Sequence, residues 1–278
     1  MAQCESVINA LSFDVEDYFQ VSNFEKVVRE EDWSTYESRV ERNVETILGI
    51  LDRLGVKATF FVLGWIAEHH PQIVKTIAVC GHELASHGYR HQLIYNQTPA
   101  EMKSETERAV QLVEDLSGSK VLGYRAASFS VVGSSLWALD ILQELGLRYD
   151  SSIFPIRHPR YGLPLAPRAP YEVKQGFWEF PMPTLKLFKR LNVPFGGGGY
   201  FRLYPYWLTT TMMRAMNRSN VPFIVYLHPW EFDPDQPRIE CSLQARFRHY
   251  VNLGRTAQRL VQLCSEFQFA EARTVLGI

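Results

Sequence analysis

A few polar side chains in this 278-residue chain stand where apolar, strand-like runs end, and their types suit hydrolysis. Asp14, Glu16 and Asp17 follow Val7–Phe13. His87 and His91 follow His82–Ser86, Arg125 ends Val121–Arg125, Asp150 ends Leu147–Asp150, and His228 follows Pro222–Leu227. His87 and His91 are spaced i, i+4, which on a helical turn brings both imidazoles to one face, a common grip on one metal ion. A carboxylate added to two imidazoles makes a facial set that leaves positions open for water and substrate. Each residue alone has a blander reading. The acids suit a solvated loop, Arg125 a surface ion pair, His228 a satisfied core histidine, and Asp150 a turn cap. What sets them apart together is their shared position at strand ends.

The elements that position them follow from periodicity. Arg42 to Leu54 carries Val44, Ile47, Leu48, Leu51 and Leu54 on one helical stripe, with Gly55 able to end it. Ala58–Leu63 is almost wholly apolar, as strands buried on both faces are. Pro71 opens a short helix that stops at Gly81. Thr98-Pro99-Ala100-Glu101 has capping-box form with proline at the first helical position, and its helix runs to about Leu116. Leu136–Leu145 is a further helix, closed by Gly146. This β-α-β-α succession predicts a parallel sheet or barrel, and in such folds sites lie at the carboxyl ends of the strands. Pro155 to Pro170, with five prolines, is expected to be irregular and to cover a site. Phe177–Phe180 reads as a strand. Leu243–Phe267 reads as a long helix broken near Gly254. The run Gly196-Gly197-Gly198-Gly199 could cradle a ligand but lacks the lysine of a P-loop.

Composition narrows the class. The chain is 46% hydrophobic and 21% charged with a formal net charge of -1, which excludes a disordered chain and a general polyanion binder, so no nucleic-acid partner is expected. No run approaches the roughly 18–20 apolar residues of a transmembrane helix. Cys4, Cys80, Cys241 and Cys264 show no short ligand spacing, so they read as free thiols in a reducing compartment. With no basic flank at Met1–Ser6, a cytoplasmic location is expected.

The ordered motifs resemble those of the polysaccharide deacetylases of carbohydrate esterase family 4, the group with the NodB homology domain. Ser12-Phe13-Asp14-Val15-Glu16-Asp17 is similar to the family's Thr-Phe-Asp-Asp. Ser86-His87-Gly88-Tyr89-Arg90-His91 matches its His-x-x-x-His, and Gly123-Tyr124-Arg125-Ala126-Ala127-Ser128 is similar to its Arg-x-Pro segment, with Ala127 in place of the proline. Tyr149-Asp150-Ser151-Ser152 and Leu227-His228-Pro229 complete the series. The resemblance covers about residues 5–155 plus the His228 segment. It implies an irregular (β/α) barrel within one catalytic domain, 5–278, with the core at about 5–155 plus 220–235. A C-terminal extension, about 194–278, is similar to that of deacetylases from bacterial exopolysaccharide gene clusters.

The resemblance also implies the roles. Asp14 is the base that takes the water proton, held ionised by Arg125. His87, His91 and either Asp17 or Glu16 hold one divalent ion, with zinc favoured. The Ser128 backbone N–H faces the oxyanion. His228 protonates the departing nitrogen, and Asp150 supports its charged state. Read from the residues themselves, Trp230, two residues beyond His228, and Tyr200, on the glycine run, are candidate sugar-stacking platforms. The expected activity is metal-dependent removal of N-acetyl groups from an N-acetylated oligo- or polysaccharide or its lipid-linked precursor. Two rival readings are hydrolysis of another C–N bond, as in a small cyclic amide, and a non-catalytic carbohydrate-binding protein. The oligomeric state is not legible in the residues.

Overall fold

Strand β1 (Ile8–Val15) lies inside the sheet with neighbours on both sides, and its alternation explains the architecture. Leu11, Phe13 and Val15 point to one core, whereas Ala10 points to another. A strand with both faces covered by apolar groups belongs in a parallel sheet wrapped by helices. The computed structural model describes residues 7–187 and 191–278 and shows that arrangement. After β1 come α1 (Val40–Leu54), β2 (Thr59–Val62), α2 (Gly64–His69), α3 (Pro71–Val79), β3 (Glu83–Ser86), α4 (Pro99–Ser117), β4 (Gly123–Tyr124), α5 (Trp137–Glu144) and β5 (Tyr149–Asp150). A β6–β7 hairpin (Tyr171–Lys174, Phe177–Glu179) and a separate β8–β9 hairpin (Thr184–Leu187, Leu191–Pro194) follow. Then come α6 (Gly198–Leu203), α7 (Tyr206–Asn217), β10 (Ile224–Leu227), α8 (Leu243–Tyr250), α9 (Thr256–Glu266), β11 (Gln268–Ala270) and α10 (Ala272–Leu276).

The main sheet has the order β10-β1-β2-β3-β4-β5-β7-β6, parallel throughout except for β6 against β7. β11 also pairs with β1, below β10. The sheet curls into a half-barrel, the irregular (β/α) form expected. Its outer face packs on α1, α3, α4 and α5 through residues such as Phe60, Ile47, Ile77 and Val113. Its concave face is lined by Ala10, Phe61, Ala85, Tyr149, Ile224 and Tyr226. Elements from the two halves of the chain are therefore interleaved in one sheet.

Several local readings hold. Thr98 and Glu101 form the capping box, with a 3.3 Å bond from the Glu101 N–H to the Thr98 hydroxyl. Gly55 ends α1 in the left-handed region, at φ 62°. The C-terminal helix breaks as expected, through left-handed Asn252 and a 3-10 turn over Leu253–Arg255. Residues 155–170 carry no helix or strand. Cys80, Cys241 and Cys264 are free, and Cys4 lies outside the described residues. Among the described residues, no helix is long and apolar enough to cross a membrane.

Candidate active site

Period-two alternation decides which strand-end residues enter the half-barrel. Ala10 faces inward on β1, so Asp14 does too, four residues on. By the same parity His87 follows Ala85, Arg125 follows Gly123, and His228 follows Ile224 and Tyr226. These side chains meet at the carboxyl ends of the parallel strands, in a cavity of about 400 Å³.

The Arg125 guanidinium is wholly buried and makes the floor. Its Nη1 donates to Asp14 Oδ1 at 2.6 Å and to the Ser12 hydroxyl at 2.9 Å. Its Nε and Nη2 donate to the Ser151 carbonyl and hydroxyl, and its plane lies 4.0 Å over the Phe61 ring. Every side of the charge is thus satisfied, which a buried cation requires. The consequence is a fixed Asp14 carboxylate with Oδ2 turned toward the cavity, 3.9 Å from His228 Nε2.

One ligand atom each from Glu16, His87 and His91 lies within 4.8 Å of the others. The His87 Nδ1 faces the Arg125 carbonyl at 2.7 Å. A carbonyl can only accept, so Nδ1 carries the proton and Nε2 keeps its lone pair for a cation. Burial pulls the His87 pKa down to about 4, outweighing Asp14, so the ring is neutral at pH 7, the form that ligates. Glu16 Oε2 is buried with no hydrogen-bond partner and stands 3.0 Å from His91 Nε2, while Oε1 accepts from Trp230 Nε1 at 3.3 Å. Burial pushes the Glu16 carboxyl up, but His91, with His228 and His87, brings it to about 2. An orphaned carboxylate oxygen among imidazole nitrogens fits a divalent ion.

Four expectations for this region need correction. The two histidines do not share a helical turn. They sit in a loop after β3 that turns through left-handed Gly88 (φ 73°) and His91 (φ 55°). Left-handed backbone at a non-glycine residue costs on the order of 1–3 kcal/mol and concentrates at functional sites.

Asp17, the alternative carboxylate, faces away from the cavity. Its Oδ1 accepts from the Tyr18 N–H, and Oδ2 from the Ser38 hydroxyl and the Arg39 and Val40 N–H groups. It satisfies the start of α1, where helix N–H groups have no partner of their own. Asp17→Ala is therefore expected to cost about 1–3 kcal/mol of stability through unpaired buried donors. Metal content should stay at the wild-type level. A denaturant melt and metal analysis check this, and loss of the ion would return Asp17 to the ligand set.

Asp150 is not the partner of His228. It accepts from the Ser152 hydroxyl at 2.6 Å and the Ser152 N–H at 3.2 Å, and it shares a hydrogen bond with the Glu179 carboxyl. The carboxylate against His228 is Glu231, whose Oε1 lies 2.7 Å from Nδ1. Glu231 is held in turn by Arg202, with Nε to Oε2 at 2.5 Å. Arg202 is 1% exposed and also donates to the carbonyls of Arg248, His249 and Val251. Burial pushes the His228 pKa down, but Glu231, Glu16 and Asp14 more than offset it, raising it to about 9. The ring is an imidazolium at neutral pH.

The Asp150–Glu179 pair makes a separate pH prediction. Burial raises Asp150 to about 6, with the bonds from Glu179 and Ser152 pulling it back, and burial beside Asp150 raises Glu179 well above its usual value. A carboxyl raised on folding stabilises below its unfolded pKa, and that contribution is lost as pH rises toward the folded value. Glu179→Gln can bond an ionised Asp150 without a shared proton. Its stability relative to wild type should therefore climb between about pH 4 and 6, measured by urea unfolding across that window. A difference that does not vary with pH would contradict the shared proton.

Trp230, expected as a sugar platform, is 4% exposed and its faces are taken. His228 stacks at 5.1 Å and His249 at 4.1 Å. It positions Glu16 and His228 instead. Tyr200 does line the cavity, as does Ser128, whose backbone is left-handed (φ 50°) and whose hydroxyl meets Ser22 at 2.6 Å. The glycine run serves close approach. A Cβ on Gly197 would come within 2.0 Å of the Tyr226 carbonyl, and Gly198 and Gly199 line the cavity.

Glu231 and Arg202 were missed in the sequence. His228-Pro229-Trp230-Glu231 carries an i, i+3 signal that could have found Glu231, but nothing local marks Arg202. His158, Arg160 and Tyr161 also line the cavity, from the proline-rich stretch expected to cover a site.

Residues 26–149 match the family described as polysaccharide deacetylase, and residues 151–277 match a domain of unknown function, DUF3473. A peptidoglycan deacetylase-like protein of Gibberella zeae is 28% identical over 54% of this chain and 45% of its own length. The peptidoglycan deacetylase of Helicobacter pylori is 29% identical over 41% and 38%. The peptidoglycan-N-acetylglucosamine deacetylase of Bacillus cereus is 39% identical over 25% and 26%. The chain thus spans less than half the length of these relatives. Among solved structures, a Mycobacterium smegmatis protein assigned to the polysaccharide deacetylases superposes with a TM-score of 0.63 at 19% identity, covering 100% of this chain and 91% of that one. A carbohydrate esterase family 4 pseudoenzyme of Bacillus anthracis superposes at 0.50 and 13% identity, covering 99% and 66%. The fold alone is therefore neutral on activity, which resides in the side chains of the site.

Proposed function

We propose that this chain, whose residues 26–149 match the polysaccharide deacetylases, is a metal-dependent hydrolase removing N-acetyl groups from an N-acetylated glycan of the cell surface or an exopolysaccharide. The observation that carries this reading is the convergence of three groups on one cavity. They are an arginine-held carboxylate, a Glu-His-His set, and a histidine backed by a buried acid.

Amide hydrolysis needs a proton acceptor for water, stabilisation of the oxyanion, and a proton donor for the leaving nitrogen. Glu16, His87 and His91 would hold a divalent ion, with zinc favoured by two imidazoles and one carboxylate. Such an ion, when bound, lowers the pKa of water and polarises a carbonyl. Asp14 is the base. Arg125 fixes its orientation, so the free oxygen faces the cavity and accepts the water proton. His228 is the acid, donating from Nε2 while Glu231 and Arg202 hold the ring at Nδ1. The Ser128 N–H is the candidate second oxyanion donor.

Acetate release from N-acetylated oligosaccharides, with and without chelator, tests the reading directly. Release that a chelator abolishes and zinc restores is expected, and no release from any N-acetyl sugar would overturn it. The acid role has its own test. In His228→Ala, an acetyl ester of a nitrophenol needs little protonation of its leaving group. Its hydrolysis should therefore escape most of the ~10²–10⁴-fold loss expected on an N-acetyl sugar. Equal losses on both would make His228 a positioning residue.

A further inference from the structure

The charges lining the cavity are segregated. Its acids, Asp14 and Glu16, lie on the floor, where Arg125 and the histidine pair face them. Away from the floor, the charged lining residues are Arg202, Arg160 and Arg248, of which Glu231 occupies the first and Glu25 the second. On the same wall the His158 ring stacks on Tyr161 at 3.8 Å. Burial lowers the His158 pKa, and the charges of Arg248 and Arg160 lower it further, so both act on the same wall. Arg160 pairs with the partly exposed Glu25, and among the described residues the exposed Arg248 guanidinium makes no ion pair. Phe247, one residue before Arg248 on α8, is 57% exposed and lines the same mouth. An exposed aromatic suits the apolar face of a pyranose.

We propose that this mouth is a subsite for a negatively charged unit of the glycan, with Arg248 facing its oxyanion and Phe247 its ring. The proposal rests on the deacetylase reading above and adds the charge of the substrate to it. The recognising chemistry is a fixed oxyanion on the sugar chain, whether the carboxylate of a neighbouring sugar acid or a phosphate at the reducing end. Neutral chains would bind the same floor without the added attraction.

The test compares acetate release by the metal-loaded protein from three oligosaccharides of equal length. One is neutral, one alternates N-acetylhexosamine with uronate, and one is neutral with a reducing-end phosphate. The expected result is a kcat/KM about five- to tenfold higher for at least one charged chain, the scale of one charge-assisted hydrogen bond at a partly exposed site. The gain should shrink as salt rises. Which chain gains identifies the source of the charge. Arg248→Gln should lose about five- to tenfold more on the preferred charged chain than on the neutral one. Equal kcat/KM on all three chains, or equal losses in Arg248→Gln, would overturn the proposal. Should no chain release acetate, the deacetylase reading fails. Calorimetric binding of the uronate and phosphate chains to wild type and Arg248→Gln then still decides the subsite, and indistinguishable affinities would overturn it.

Discussion

His87→Ala and Glu16→Gln are expected to lose stoichiometric divalent metal and activity together, down to the chelator-treated background. His87 Nε2 is left free by the bond from Nδ1 to the Arg125 carbonyl, and Glu16 Oε2 is buried beside only His91, itself a member of the set, so each supplies a ligand atom that nothing replaces. A readout independent of turnover is available. An ion that binds only the folded state stabilises it by about 4 kcal/mol at a thousandfold excess over Kd. Added zinc should therefore raise the melting temperature of wild type and leave that of either variant unmoved. Unchanged metal content in a folded His87→Ala protein would sink the assignment. Asp17→Asn is the contrasting control, since Asp17 bonds to the start of α1 and not to this set.

Asp14→Asn is expected to lower activity by at least the ~10²–10⁴-fold of lost general acid–base catalysis while metal content stays near wild type. The amide is nearly isosteric and its oxygen can still accept from Arg125 Nη1, but it cannot take a proton from water. Loss of the ion in this variant would make Asp14 a ligand and reassign the base. The two variants together separate holding the metal from moving the proton, two roles that the closeness of Asp14 and Glu16 could otherwise blur.

Some of this was determined by local sequence alone. The β-α-β succession and the capping box at Thr98 depend on neighbours in the chain, so periodicity and short spacings reveal them. The placing of Asp14, His87, Arg125 and His228 also follows from the chain, because period two carries each inner face on to the strand's end. The tertiary structure decided the rest. Glu16 and Asp17 are adjacent and chemically alike. After Asp14 the chain turns, with the Glu16 N–H on the Asp14 carbonyl, so one acid enters the cavity. The other meets α1 more than twenty residues on. The histidine loop escaped the i, i+4 rule because left-handed residues, not a helix, brought its rings together. Asp150 and Glu231 could each have faced His228, and the approach of Arg202 from α6 stabilises Glu231 in that place. Trp230 shows the same limit, since its stacking on His228 and His249 depends on which rings the packing brings to its faces. The partner of a buried charge or ring is chosen by contacts distant in sequence, because burial requires every polar group to be paired by whatever the fold brings near.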